Sequence, residues 1–125
     1  MDEQGYRKLV VWERAVELTE AVYLMTDLMP ESERFGLISQ MQRSAVSIPS
    51  NIAEGHSRIH TGDFLRHLSF ARGSLSELET QITVAVRVQR LSREQARNAW
   101  DLCQEVGRML TTLIRTISDK KNQET

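Results

Sequence analysis

Apolar residues recur at alternating intervals of three and four along most of the chain, and they do so in four separate runs. Val11, Ala15, Leu18, Val22, Met25 and Met29 form the first ladder; Ile38, Met41, Ala45, Ile48 and Ile52 form the second. Phe64, Leu68, Ala71, Leu75, Leu78, Ile82 and Ala85 form the third; Ala96, Ala99, Cys103, Val106, Leu110, Leu113 and Ile117 form the fourth. A helix turns once in ~3.6 residues, so each ladder is one apolar stripe, and four stripes can close on a common core. No segment offers a period-two strand. The pattern predicts an all-α, antiparallel up-down-up-down four-helix bundle. The helices are expected at about 8–29, 31–56, 61–90 and 92–118, with a frayed tail over 119–125 and residues 1–125 forming a single domain.

The residues between the ladders fit these bounds. Pro30 suits the start of the second helix, with Glu31 and Glu33 near its positive end. Gly55 to Gly62 separates the second and third ladders, with Thr61 as the expected N-cap and Asp63 in the first turn. Ser92 and Gln95 have capping-box spacing. Pro49 lies inside the second ladder, where it removes a backbone donor and crowds the carbonyl of Ala45. The apolar phase continues through Ile48 and Ile52, so a kinked helix running to about Glu54 is expected, with Ser47 and Ser50 satisfying the disturbed backbone.

Composition narrows the function classes. The chain has 125 residues, 16 Lys+Arg against 17 Asp+Glu and a single cysteine. One cysteine excludes an internal disulfide framework and a cysteine-built metal centre, and points to a reducing compartment, with the cytoplasm expected. The N-terminal stretch has no signal-peptide h-region, and its longest apolar run, Leu9 to Trp12, falls far short of the ~20 residues that span a bilayer. No P-loop, dinucleotide fingerprint, Gly-x-Ser-x-Gly or His-Glu-x-x-His occurs, so no cofactor is expected. His60, Asp63 and His67 are the one arrangement that a metal-dependent hydrolase could use. With the bundle di-iron Glu-x-x-His pattern absent, these read as ordinary loop and surface residues, and the protein as no enzyme. Cys103, on a ladder, reads as a small buried hydrophobe.

A polar stripe runs beside the second ladder. Arg43, Ser47, Asn51, Glu54 and Arg58 share a face, and the third helix carries Arg72, Gly73, Ser74 and Glu77. A mid-helix glycine costs ~1 kcal/mol relative to alanine, so Gly73 suggests close approach of another backbone. The stripe is either a solvated face or a hydrogen-bonded polar layer between helices or subunits, with Arg43 or Arg72 against Glu54 or Glu77.

The stretches Gln40 to Gly55 (QMQRSAVSIPSNIAEG) and Phe70 to Leu78 (FARGSLSEL) carry a resemblance. From Leu9 and Trp12 to about Leu91 the chain resembles the four-helix proteins encoded in intervening sequences of bacterial 23S rRNA. Met29-Pro30 stands where Phe-Pro is usual, and the fourth helix is generic. The resemblance implies a ring, most often a homopentamer, and singles out Arg43, Ser47, Asn51, Glu54, Gly55, Arg72, Gly73, Ser74 and Glu77 as a structural or interface motif. It also implies a relationship to the accessory variability proteins of diversity-generating retroelements, which bind a reverse transcriptase and nucleic acid.

Charge is unevenly spread. Residues 1–36 hold four basic and eight acidic side chains, while residues 87–121 hold eight basic and four acidic. Arg90, Arg97, Arg108 and Arg115 fall on roughly one helical face and are candidate phosphate contacts, multiplied around a ring. The alternative is a solvated face, or a patch that meets the acidic first helix of a neighbouring subunit. Trp12, Tyr23, Leu37, Leu65, Phe70 and Trp100 lie off or beside the ladders and suggest self-association. Two classes of function follow: a non-enzymatic nucleic-acid or ribonucleoprotein accessory factor that touches RNA or DNA, or a scaffold that binds only protein.

Overall fold

A computed structural model describes residues 5–123 of the chain. It contains four long helices and, among the described residues, no strand: α1 (Val10–Thr26), α2 (Ser39–His56), α3 (Thr61–Arg87) and α4 (Arg93–Gln123). Each helix packs on the next, and α4 packs back on α1, so the four surround one core. The ladders build it. Leu18, Met41, Ile48, Ile52, Leu68, Leu78, Val106 and Leu110 are wholly buried, while Phe64, Leu113 and Ile114 close its edges half-buried.

Besides earlier ends for α1 and α3, the boundaries differ from the sequence reading in three further places. Pro30 opens a 3-10 turn, Glu31–Glu33, followed by a single π turn, Arg34–Ile38; α2 begins only at Ser39. Gly36, whose φ of −112° and ψ of −110° leave helical geometry, interrupts the segment that the apolar phase alone would join to α2. His60, not Thr61, caps α3: it is extended and offers no side-chain bond, and Thr61 is already helical. At the far end α4 continues through Gln123, past the expected fraying point at Asp119; residues 124–125 lie outside the described region.

Two terminations follow the residue chemistry. The Ser92–Gln95 capping box forms, each backbone N–H donating to the other's side-chain oxygen at 3.0 Å. At the end of α3, Gln89 adopts a left-handed φ of 63°, and the Arg90 N–H turns back to the Ala85 carbonyl at 2.8 Å.

Pro49 sits buried inside an unbroken α2. The acceptor it abandons is the Ala45 carbonyl, and the neighbouring helix supplies a donor: the Thr19 hydroxyl lies 3.2 Å from it, and 2.9 Å from its own Ala15 carbonyl. Ser50 bonds the Val46 carbonyl at 2.8 Å as expected, but Ser47 turns away toward α3.

Candidate functional site

The polar stripe of α2 faces α3, and its central members form a chain of hydrogen bonds. Ser47 and Ser74 hydroxyls meet at 2.8 Å; Asn51 Nδ2 donates to the Ser47 hydroxyl at 3.1 Å and to its carbonyl at 2.9 Å. The other end of the same amide, Oδ1, lies 3.1 Å from His67 Nδ1. Ser74 and His67 are buried, so the layer ties the two helices together in a place where a lost partner would leave a polar atom dry. Beyond His67, Glu54 lies 3.9 Å from its Nδ1 and accepts a bond from Arg58 at 2.8 Å. The His67 Nε2 is buried and has no protein partner.

The arginine–glutamate pairs that one of the two readings placed across this seam do not form. Arg43 is exposed and reaches only the Ser39 hydroxyl, at 3.4 Å; Arg72 is exposed and pairs with neither Glu54 nor Glu77. Arg43 and Glu77 instead line a surface groove of about 380 Å³ with Ser44, Ser47, Ser74 and Gln81. A charged pair at this exposed rim would gain little, whereas buried Ser74 and half-buried Ser47 and Asn51 match each other's donors and acceptors.

The two motif glycines do opposite things. A Cβ on Gly55 would lie 2.6 Å from His67 Cβ, so the absence of a side chain there is what lets α2 and α3 touch. Gly73 has nothing within 4 Å of such a Cβ and is exposed. The close approach inferred for Gly73 within the chain belongs to Gly55.

The basic residues also divide. Arg97, Arg108 and Arg115 are exposed on α4 and, among the described residues, none forms an ion pair, with Arg97 lining the α3/α4 groove and Arg108 the α1/α4 groove. Arg90 does not belong with them: it precedes α4, in the turn after α3, where its Nε lies 3.6 Å from Glu33 and its Nη1 donates to the Val88 carbonyl. Between α1 and α4 the charge order reverses the sequence average. Arg14 of the acidic helix donates a hydrogen bond to Glu17 at 2.8 Å and forms an ion pair with Glu105 of the basic one, its Nε 3.0 Å away, and the two carboxylates, Glu17 first, raise its guanidinium above its ordinary pKa.

The profile of one family, described as 23S rRNA-intervening sequence protein, matches residues 7–112, which include the seam and the first part of the basic stripe. The chain belongs to that family. A crystal structure of a protein of unknown function from the S23 ribosomal protein family of Bacteroides thetaiotaomicron is similar, with 27% identity, a TM-score of 0.77, and coverage of 85% of this chain and 96% of that one. No curated protein matches the chain significantly. For this member of the intervening-sequence family, family and fold are therefore in hand, and activity has to be argued from its own side chains.

His67 is the seam residue that sequence reasoning missed. Grouped with His60 and Asp63 it reads as a surface or loop residue; in the structure it is buried, edge-on to Phe70 with ring centroids 5.6 Å apart. The available signal was its phase: Ser74 lies seven residues on, so the two share a face of α3. The three residues of the candidate metal arrangement do not converge. His60 is exposed, Asp63 points to Arg66 at 3.5 Å, and no three metal-ligating side chains gather among the described residues. No helix among them is long and apolar enough to cross a membrane. Burial, and then Glu79, push the Cys103 thiol up to about 12, which suits a packing role.

Proposed function

We propose that this protein is a non-enzymatic, ring-forming, up-down-up-down bundle of the cytoplasm that serves as a nucleic-acid or ribonucleoprotein accessory factor. The observation that carries the reading is the row formed by Arg97, Arg108 and Arg115: exposed, unpaired among the described residues, and spread over about 27 Å of one face of α4. Unpaired guanidiniums keep their full attraction for phosphate, and copies around a ring would add their contacts. The four neighbour-to-neighbour helix contacts and the short connections support the antiparallel arrangement, and Pro49 supports a bend in α2. The family's description refers to an rRNA intervening sequence, which favours RNA as the first probe.

A salt titration of RNA binding tests this. Removing Arg108 and Arg115 together should reduce the slope of log affinity against log salt by about 2 on a duplex. No binding at low salt, or an unchanged slope, refutes the reading. A second reading, a scaffold that binds only protein (a nucleic-acid enzyme such as a reverse transcriptase among the candidates), draws on the exposed apolar side chains Leu24, Leu28 and Phe35. A partner that stays bound after nuclease treatment, with no RNA affinity in the isolated protein, would favour it.

A further inference from the structure

Where α3 passes the chain to α4, the two helices part around a groove of about 420 Å³, within the range of ligand sites. Ile82 and Ala96 are buried beneath it. Trp100 lines it with its surface 37% exposed. Arg87 from α3 and Arg93 and Arg97 from α4 complete the lining. All three are exposed and, among the described residues, none has a carboxylate partner. The single acid there is Asp101.

We infer that this groove binds a single-stranded nucleic acid, one base stacking on Trp100 and the adjoining phosphates held by Arg87, Arg93 and Arg97. The inference rests on the nucleic-acid reading above and goes beyond it in strandedness, in the recognised group and in two arginines outside the α4 row. An apolar floor with an indole suits a flat ring that only an unpaired strand can offer. Guanidinium forks match phosphate oxygens in pairs, and Arg93 and Arg97 stand one helical turn apart, about 6 Å. Asp101 decides between polyanions. Beside an acidic peptide its carboxylate would only repel, whereas a base can donate an exocyclic amino group to it.

The probe is an unstructured RNA dodecamer, with a duplex of the same length as control, added to protein carrying Trp12→Phe so that Trp100 is the sole indole. Binding of the single strand should quench the Trp100 emission, and Trp100→Ala should weaken it about tenfold while leaving duplex binding unchanged. Arg93→Gln with Arg97→Gln should weaken it as well, and Trp100→Phe should retain most of the affinity. Because nearly two-thirds of the Trp100 surface is covered, binding is compared at a temperature at which each variant's helical signal matches that of the parent. Single-strand binding with no quenching and no response to Trp100→Ala or Trp100→Phe overturns the groove and leaves the Arg108–Arg115 reading standing. A failure to bind either oligonucleotide at low salt removes both. A polyglutamate peptide that quenches Trp100 and displaces the RNA at equal charge overturns the assignment in favour of a protein ligand.

Discussion

The Thr19 hydroxyl of α1 lies 3.2 Å from the carbonyl of Ala45 in α2, the acceptor that Pro49 deprives of its helical donor. A helix-breaking residue is thereby accommodated by a donor 26 positions away in sequence. Thr19→Val should destabilise the protein by about 1–2 kcal/mol in urea unfolding, because it leaves a buried carbonyl without a partner. In a Pro49→Ala background the backbone N–H returns and the same substitution should cost about half as much or less. Equal costs in both backgrounds would show that Thr19 serves only its own helix.

Gly55 and Gly73 predict opposite responses to the same methyl group. Gly55→Ala must push α2 from α3 at His67, and should lose about 1–3 kcal/mol despite alanine's better helix propensity. Gly73→Ala meets open space and should gain up to about 1 kcal/mol in the monomer. Thermal melts of the two variants check this. If Gly73→Ala instead lowers the mass of an assembly, a second copy packs against that position.

The Cys103 thiol has a definite sign in alkaline unfolding. Its ordinary value is 9.0, and burial raises it to about 12 in the folded state. Between these values the unfolded chain releases a proton that the folded chain retains, so folding stability falls as pH rises, by up to about 1.4 kcal/mol per pH unit. Below pH 9 the contribution is fully present. Cys103→Ala lowers stability overall but should remove this part of the slope, seen as the difference between the two proteins' denaturation midpoints from pH 8.5 to 10.5. Parallel curves would place the thiol's ionisation at its ordinary value.

Leu24 in the last turns of α1 and Leu28 in the turn that follows it are 69% and 57% exposed, and they are apolar surface that the proposed ring could cover. Leu24→Arg with Leu28→Arg should convert an oligomer to monomers by light scattering, with the monomer's stability changed by no more than about 0.5 kcal/mol. An assembly that survives both substitutions uses another face, and a parent protein of monomeric mass would refute ring formation outright.

The helical class and nearly the whole core were legible in the order of residues, because burial on a helix is a matter of phase. The first ladder is buried throughout, and so are Met41, Ala45, Ile48 and Ile52 of the second. The capping box was legible for the same reason: its two partners lie three residues apart. The segment from Glu31 to Ile38 was not, since a glycine's effect on a helix depends on what the chain must do next. Among the candidate residues, Ser47 and Asn51 were identified by their common stripe on α2 and Ser74 within the polar group on α3, yet the partner that joins them, His67, was grouped with its sequence neighbours in the loop.

The sequence by itself determined what each helix buries, since a repeat of three and four residues leaves one side of a helix apolar whatever it meets. Only the tertiary structure decided which polar groups meet across helices. Thr19 reaches Ala45, Asn51 bridges Ser47 to His67, and Arg87 and Arg93 join Arg97 at Trp100 while Arg90 turns aside to Glu33. Phase along one helix fixes a direction around its axis. Contact between two helices also needs their relative height and separation, and those are set by the glycine, the proline and the turns that no periodicity records.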